Sequence, residues 1–483
     1  MALFFQRDAT LQVYPNKSDG TFPSASKAFA IPMLEGFSFS QSTNSSEITL
    51  SEMESTAGTS RRGRKMFNDS LAPVEWSFST YIRPYIASGT AVSGTTISWA
   101  DSNVHLVDEC LWNALLSKSR IDEDGTSGKS VANMTFSGGS GNQVGDILTL
   151  TGGTLATGYT AAKATVVTVN GSAQITEVEI TTPSQYTANP TGATSSRGGA
   201  AVGTPTIVMG EELDSMIDRG TTKTVMSSKN SNVSALNTMS MEFMIGTNVG
   251  YKLNKAVVNS ATINFDVEGI ATIEWSGMAA TIDGITAFTA ATGANSANAA
   301  INEGGTSADT EDFIRNRLTA MSVAPKTSGT SAGVSGMQTS YDLTLTGGSI
   351  TIENNISYLT PEELGVVNKP IEHVTGVRNV GGSFTCYLAS NSANNGSKDF
   401  FEDLTSAAAL DVITHDFEMI FKIGGSSGTP RIEVKMPQCH VEVPTHSIED
   451  VISLESSFTS LQSDMESSIV DDLELSVHGV ALS

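Results

Sequence analysis

Val412 to Leu461 reads VITHDFEMIFKIGGSSGTPRIEVKMPQCHVEVPTHSIEDVISLESSFTSL. This stretch decides the fold because it has an echo about 180 residues earlier, in LNTMSMEFMIGTNVGYKLNKAVVNSATINFDVEGIATIEWSGMAATI, from Leu236 to Ile282. Each opens on a strand with alternate residues apolar: Met239, Met241, Phe243 and Ile245 in one, Phe417, Met419, Phe421 and Ile423 in the other. Alternation with period two marks a strand with one face buried. Both strands end on glycine, at Gly246 and at Gly424-Gly425, and another strand follows. Both stretches close on an acidic, Ser-containing strand around Glu274-Trp275-Ser276 or Glu455-Ser456-Ser457. Matching order and length predict two copies of one β-rich unit.

The flanking sequence extends the match. Ala28 to Ser40 (AFAIPMLEGFSFS) gives two strands; a polar excursion runs from Gln41 to Pro73; Glu75 to Ile82 (EWSFSTYI) is a returning strand. Tyr341 to Glu353, the loop Asn354 to Val380 and Gly382 to Leu388 (GSFTCYL) repeat that order. A helix is expected over Asp101 to Arg120, from apolar residues at Val104, Val107, Leu111 and Leu115 with basic residues in the last turn. Its counterpart is expected over Lys398 to Leu410, capped by Ser397. The halves differ in a Gly- and Thr-rich insertion, read as a small β domain on a surface loop, with Asn170-Gly171 as a tight turn. Residues 286–305, rich in Ala, Asn, Gly and Thr, read as linker, with a short helix expected over Asp309 to Ala320. The expected organisation is therefore residues 1–129 with 210–285 as the first unit, 130–209 inserted, 286–330 as linker and 331–483 as the second unit.

The 483 residues carry 51 acidic against 27 basic side chains, a net charge of −24, which argues against a protein that grips nucleic acid. It leaves room for a surface that nucleic acid slides past. Cys110, Cys386 and Cys439 form no CxxC pair and read as small buried apolar residues. The start, Met1 to Asp8, has no apolar export core, and no stretch reaches the length of a membrane span. These features predict a protein made and used in a cytoplasm.

Chemistry is sparse. The six histidines at 105, 373, 415, 440, 446 and 478 are scattered and read as structural. Ile121 to Gly125 (IDEDG) lacks the downstream Glu of a calcium loop, and 138–145 (GGSGNQVG) lacks the Lys-Ser/Thr of a phosphate loop. No nucleophile–base pair stands out. No catalytic, cofactor-binding or metal site is expected. The one basic cluster, Arg61, Arg62, Arg64 and Lys65, reads as a loop that docks on an acidic surface of another subunit, ahead of a solvated loop tip or a nucleic-acid patch.

The plan resembles the tail tube proteins of tailed bacteriophages, most specifically in SITIENN…VTGVRNVGGSFTCYL (349–388) and its counterpart GFSFSQSTN…PVEWSFSTYI (36–82). The resemblance implies a mainly β fold: two duplicated β-sandwich/barrel modules, each with one flanking helix, plus the small inserted domain. That insertion is similar to β modules that decorate phage structural proteins. In the family, six-fold rings of modules stack into the conduit for DNA, so a doubled chain implies homotrimeric, pseudo-hexameric rings, with hexameric rings as the alternative. The implied partners are further copies of the chain and other tail proteins: tape measure, initiator, terminator and, in a contractile tail, sheath. The implied location is the virion tail, after assembly in the host cytoplasm, with no membrane contact. At about four inner strands per module, six modules make a barrel of about 24 strands with an open lumen. The expected lumen-facing residues are Ser38, Ser40, Glu75, Ser77, Glu242, Thr351, Glu353, Thr385 and Glu418. The expected ring-stacking loop carries Arg61, Arg62, Arg64 and Lys65. The rival expectations are an exported cell-surface or adhesin-type β-sandwich and a carbohydrate-active β enzyme; the latter needs a carboxylate pair that no motif supplies.

Overall fold

The computed structural model describes residues 5, 9–15, 29–49, 64–86, 104–116, 129–155, 160–182, 184–210, 217–218, 223–227, 236–246, 249–286, 313–325, 338–364, 367–391, 393, 395–405, 417–427, 430–448, 451–462 and 472–481. Antiparallel strands dominate, as period-two patterning with few long apolar stripes requires. The first set begins with Ala9–Pro15 (β1), Phe29–Ile31 (β2) and Ser38–Ser40 (β3). The hairpin of Thr43–Thr49 (β4) and Arg64–Leu71 (β5) follows, and the chain returns as Val74–Tyr81 (β6). Pro84–Ile86 (β7) and Val104–Leu106 (β8) pair, and helix Glu109–Leu116 (α1) follows, with every residue buried. The described helix thus begins at Glu109 and not within the expected 101–108: Val104, His105 and Leu106 are all buried, and a segment enclosed on both faces pairs as a strand. Residues 117–120, with the expected basic turn, lie outside the described residues.

The insertion folds on its own core. Its strands are Lys129–Ser137 (β9), Ile147–Thr151 (β10), Thr154–Leu155 (β11), Lys163–Val169 (β12), Ile175–Thr182 (β13), Gln185–Ala188 (β14), Gly192–Ser195 (β15) and Thr204–Gly210 (β16). They form two four-stranded sheets, β13-β12-β10-β15 and β11-β14-β9-β16, around Val131, Leu148, Leu150, Val166, Ile180 and Tyr186. The turn at Asn170 is wider than the expected Asn-Gly pair. It runs to Gln174, with Ala173 at φ +55° and the Asn170 side-chain oxygen accepting from the amides of Ser172 and Gln174.

Ile217–Asp218 (β17) and Thr224–Ser227 (β18) lead back to Met239–Ile245 (β19), Val249–Asp266 (β20), Thr272–Ala279 (β21) and Thr281–Ile285 (β22). The 18-residue β20 serves two layers. Its first half pairs with β19 and β22, its second with β21, and between them lie Lys255 at φ +52° and a register shift at Val258/Ser260. Such a break bends and twists a strand, so one strand can leave one sheet and enter the other.

The second set is Ala320–Pro325 (β23), Tyr341–Leu343 (β24), Leu345–Glu353 (β25), Ser357–Leu359 (β26), Glu372–Val374 (β27), Asn379–Tyr387 (β28), helix Ser397–Thr405 (α2), Phe417–Ile423 (β29), Arg431–Val441 (β30), Thr445–Ile448 (β31), Ile452–Ser460 (β32), Glu474–His478 (β33) and Val480–Ala481 (β34). In the first set β1 bridges β2 and β19, β19 pairs with β20, and β3, β6, β21 and β20 lie side by side. In the second, β23 bridges β24 and β29, β29 pairs with β30, and β25, β28, β32 and β30–β31 lie side by side. β23 falls inside the segment 286–330 read as linker; residues 287–312, with most of the Ala/Asn/Gly/Thr run, lie outside the described residues. Of the helix expected over 309–320, the described residues carry a 3-10 turn at Asn316–Leu318. Ser397 does not stand before α2 as a cap but begins it, its hydroxyl donating to the Tyr387 carbonyl at 2.6 Å and so tying the helix to β28.

The two sets interlock. β20 pairs with β25 from Ser260↔Glu353 to Asp266↔Gly347, β33 pairs with β18, and β34 runs parallel to β7. Arg378, buried before β28, donates to the carbonyls of Leu115 (2.9 Å) and Leu116 (2.8 Å) at the end of α1 and to the Asn354 side chain at 3.0 Å. A guanidinium satisfies several orphaned helix-terminal carbonyls at once. One apolar core runs through both sets, with Trp112 edge-on to Trp275 at 5.2 Å and Phe421 between Phe265 (5.5 Å) and Phe458 (5.3 Å).

Candidate functional site

Eight strand segments lie side by side in one layer, in the order β3, β6, β21, the second half of β20, β25, β28, β32 and β31. Alternation divides them into two faces. Inward point Trp76, Phe78, Ile273, Trp275, Ile263, Ile350, Ile352, Phe384 and Phe458, all buried. Outward points a face of hydroxyls, linked across the strands. Ser38 and Ser77 stand 2.8 Å apart at Oγ, Ser260 and Ser276 2.7 Å, and the Oγ1 atoms of Thr262 and Thr351 3.2 Å. Residues directly opposite on antiparallel strands share a face, so these pairs lay rows of hydroxyls across the layer.

The charges on that face have one sign. Glu75, Glu274 and Glu455 are exposed and Glu353 is half-buried among the serines and threonines. The segments 38–40, 74–81, 260–266, 272–279, 347–353, 379–387 and 453–459 contain no Lys, Arg or His. A carboxylate- and hydroxyl-bearing surface without cations repels phosphate and leaves it no ion-pairing partner.

Of the nine residues expected on this face, Ser38, Ser40, Glu75, Ser77, Thr351, Glu353 and Thr385 stand on its strands. Glu242 and Glu418 do not. Phe243, beside Glu242 on β19, packs tilted against Phe39 (5.0 Å) and stacks on Phe37 (5.7 Å) from the opposite side of the core, so Glu242 points away from the hydroxyl face altogether. Its carboxylate is 1% exposed and lies 3.6 Å from the Lys252 ammonium. Burial and the Glu242 charge push the Tyr14 phenol upward. Glu418 sits on β29 in the equivalent layer, 3.7 Å from Lys435 Nζ. Alternation assigns a residue to one of two faces; it does not say in which layer the strand lies. Reading strand by strand missed Ser260, Thr262, Glu274, Ser276, Ser349, Ser383, Glu455 and Ser457, which the pairings bring onto the same face. The signal was present in TIEWSGMA and SLESSFTS, but the register shift near Ser260 breaks the period along β20.

The two long loops are hairpins. β4–β5 projects with Arg64 and Lys65 exposed; Arg61 and Arg62 lie outside the described residues. Arg64 is paired with Glu47 on the neighbouring strand, which holds that carboxyl below the usual range, and Lys65 Nζ lies 5.3 Å from the centre of the Phe67 ring. The second hairpin, β26–β27, leans on β20: Tyr358 donates to the Lys255 carbonyl, and Lys255 Nζ donates to the Ile371 carbonyl at 3.2 Å. The hairpins meet where Leu71 N donates to Asn368 O (2.9 Å) and Asn368 N to Asp69 O (3.2 Å).

Three of the histidines stand against structural partners. His105 Nδ1 lies 3.1 Å from Glu109, His446 packs edge-on to Phe401 at 4.5 Å, and His478 Nε2 lies 3.9 Å from Glu433. Within 138–145, Asn142 donates to the carbonyls of Ala173 (3.2 Å) and Ala201 (2.9 Å), which makes this glycine-rich segment a braced turn of the inserted domain. The three cysteines are buried, and among the described residues no group of three or more His, Cys, Asp or Glu is placed to hold a metal ion. No described helix is long and apolar enough to cross a membrane. The segment Ile121 to Gly125 lies outside the described residues.

Residues 215–451 match the family described as phage tail tube protein. The chain is also 23% identical over 437 residues to the tail tube protein pb6 of Escherichia phage T5, an alignment that covers 89% of this chain and 68% of that protein.

Proposed function

Because residues 215–451 belong to the phage tail tube protein family, we propose that the chain is two tube modules in tandem and that three chains close each ring of the tail tube. The structural role in the virion tail comes with the family. The matching pairing orders of the two strand sets support the doubling. On this reading the modules are residues 1–129 with 210–285, and 331–483 extended back to include β23; residues 129–210 stand out as a decoration.

The observation that carries the reading is the eight-strand face of hydroxyls and carboxylates, whose strand segments hold no Lys or Arg. Three such layers make about 24 strands; at about 4.8 Å between strands and a tilt near 40°, the barrel is about 50 Å across its backbone. Shortened by side chains, that bore still admits a DNA duplex with water around it. Turned inward, the face is a negatively charged conduit along which DNA is ejected without sticking. Rings stack through the paired hairpins, with Arg61, Arg62, Arg64 and Lys65 meeting acidic groups of the next ring. The chain joins the tape measure, initiator and terminator proteins, and is made and assembled in the host cytoplasm.

Electron microscopy of the purified protein, with its mass in solution, tests this. Stacked rings with an open centre and three chains per ring are expected. Compact monomers that never polymerise, even with tail extract, would overturn the reading.

A further inference from the structure

Set into the hydroxyl face is a hollow of about 280 Å³ that the conduit role leaves unused. Its polar walls come from four neighbouring strands: Ser38 and Ser40 on β3, Glu75 and Ser77 on β6, Ser276 on β21 and Asn259 on β20. Met278 on β21 adds an apolar side, and Trp76 and Gly277, on the core phase of their strands, form the floor.

The pairings explain why a hollow forms here. Ser38, Ser77, Ser276 and Ser260 stand opposite one another in one row across the strands, and Ser40, Glu75 and Met278 make the next. Short serine side chains leave the space above them open. At the far end β20 carries an extra residue: Val258 faces Gly277 and Ser260 faces Ser276, so Asn259 has no partner position on β21. Such a bulge interrupts the ladder and re-aims a side chain. Asn259 is held there by both of its oxygens, the carbonyl accepting from Asn354 N and the side-chain oxygen from Ile356 N, each at 2.8 Å. At the floor Trp76 Nε1 donates to the Met278 carbonyl at 3.2 Å. The second strand set differs at the matching place. Gly381 faces Thr351 there as Glu75 faces Ser40, so that row carries no carboxylate.

Donors and acceptors in the walls select the ligand. The lining holds one carboxylate, hydroxyls and an amide but no Lys, Arg or His, so an anion finds no counter-charge. A single carboxylate is too little for a divalent ion stripped of its water, which takes six or more oxygens. Trp76 is 2% exposed and turned to the core, so the hollow offers no aromatic platform for stacking. A protonated primary amine fits better. It carries three donors and no acceptor; Glu75 takes one in a charge-assisted bond, and serine hydroxyls, each with two lone pairs, take the others. Ser38 Oγ and Ser77 Oγ stand 2.8 Å apart, so one donates to the other and both keep lone pairs for the hollow. Met278 gives a methylene stem an apolar wall. The volume falls just below the range of about 300–1,000 Å³ that holds drug-sized ligands, which suits a chain of a few carbons.

We propose that this hollow binds a primary alkylammonium ion, the end group of a short di- or polyamine, with Glu75 as counter-charge and Ser38, Ser40 and Ser77 as acceptors. One chain builds the whole site, so it does not rest on the ring reading. On that reading, the counterion atmosphere of DNA in the conduit supplies such cations.

Equilibrium dialysis of the purified chain against labelled 1,4-diaminobutane at low salt tests the site. One saturable site per chain is expected. Glu75→Gln, at an exposed position that folding tolerates, should weaken binding at least about tenfold, the effect of losing one charge-assisted hydrogen bond. Ser77→Ala should weaken it about fivefold. Glu274→Gln removes the same charge from the same face outside the hollow and should leave binding within about twofold. Tetramethylammonium, which has the charge without N–H donors, should bind about tenfold more weakly than 1-aminobutane. Equal losses from Glu75→Gln and Glu274→Gln would reduce the binding to diffuse attraction by an acidic face and overturn the site. Equal binding of tetramethylammonium, displacement of the diamine by an equal concentration of magnesium ion, or no saturable binding at all would overturn it too. All of this is read on single chains, so none of these failures touches the ring reading.

Discussion

On the proposal that the hydroxyl-bearing face lines the conduit, Glu274→Lys together with Glu455→Lys places one ammonium on each half of that face. Both carboxylates are exposed, and they sit at matching places on β21 and β32, opposite Ser79 and Thr385. The long contact from Asn264 Nδ2 to Glu274 (3.4 Å) is the side-chain hydrogen bond at stake, so folding should change by no more than about 0.5 kcal/mol. In a ring of three chains, six carboxylates become six ammoniums. If only about three of them reach phosphates at once, binding of duplex DNA gains a salt slope near −2.7, and lowering salt from about 200 to about 50 mM strengthens it about 40-fold. Retention of short labelled duplexes by purified tubes, followed across a salt series, reads this directly. Unsubstituted tubes should retain none at either salt. The reasoning fails if unsubstituted tubes bind DNA with a comparable slope, or if the substituted tubes assemble and stay inert, because the face would then not line the bore.

Reversing Arg61, Arg62, Arg64 and Lys65 to Glu should leave single rings intact and stop them stacking, as seen by microscopy; unchanged stacking would refute the docking role of this loop. Gly277→Ala should cost about 3 kcal/mol in urea unfolding, since a Cβ there runs into the Val257 carbonyl and the Trp76 ring, whereas Gly284→Ala, with nothing near its Cβ, should stay within about 0.5 kcal/mol. Burial pushes the Asp108 carboxyl up to about 7, against the help of the Thr80 hydroxyl that donates to it at 3.0 Å; the charge of Glu109 adds to the push. The folded chain then holds a proton that the unfolded chain releases near pH 3.8, so the stabilisation is full below that value and is lost as pH rises to about 7. Asp108→Asn should flatten that part of the stability–pH curve, and an unaltered difference between pH 4 and pH 7 would show that Asp108 is ionised in the fold.

The alternation that suggests a two-copy plan is carried by both halves: EWSFSTYI against GSFTCYL, and TIEWSGMA against SLESSFTS, each with its large residues on one phase. The separateness of the insertion was legible in its composition. Helix bounds were less so. Val104, Val107, Leu111 and Leu115 fit a helical stripe, yet Val104 to Leu106 pair with β7 because neighbours enclose both of their faces. The same limit explains Glu242. Its alternation with Met241 and Phe243 is right, but Phe243 turns to Phe39 from the far layer, which leaves Glu242 on the other side of that layer, buried beside Lys252.

Alternation, glycine turns and the acidic balance are local or summed properties, and the sequence by itself determined them: the β class, the repeated order and the absence of Lys and Arg from the strand segments that make the outward face. Which serines meet, which layer a glutamate joins and which edges stay open depend on pairings between residues far apart in the chain, such as Ser38 with Ser77 and Ser260 with Glu353. Those contacts follow from how two layers close over one core. Many registers satisfy the same alternation, and only packing the core against Trp76, Phe243 and Phe421 selects one.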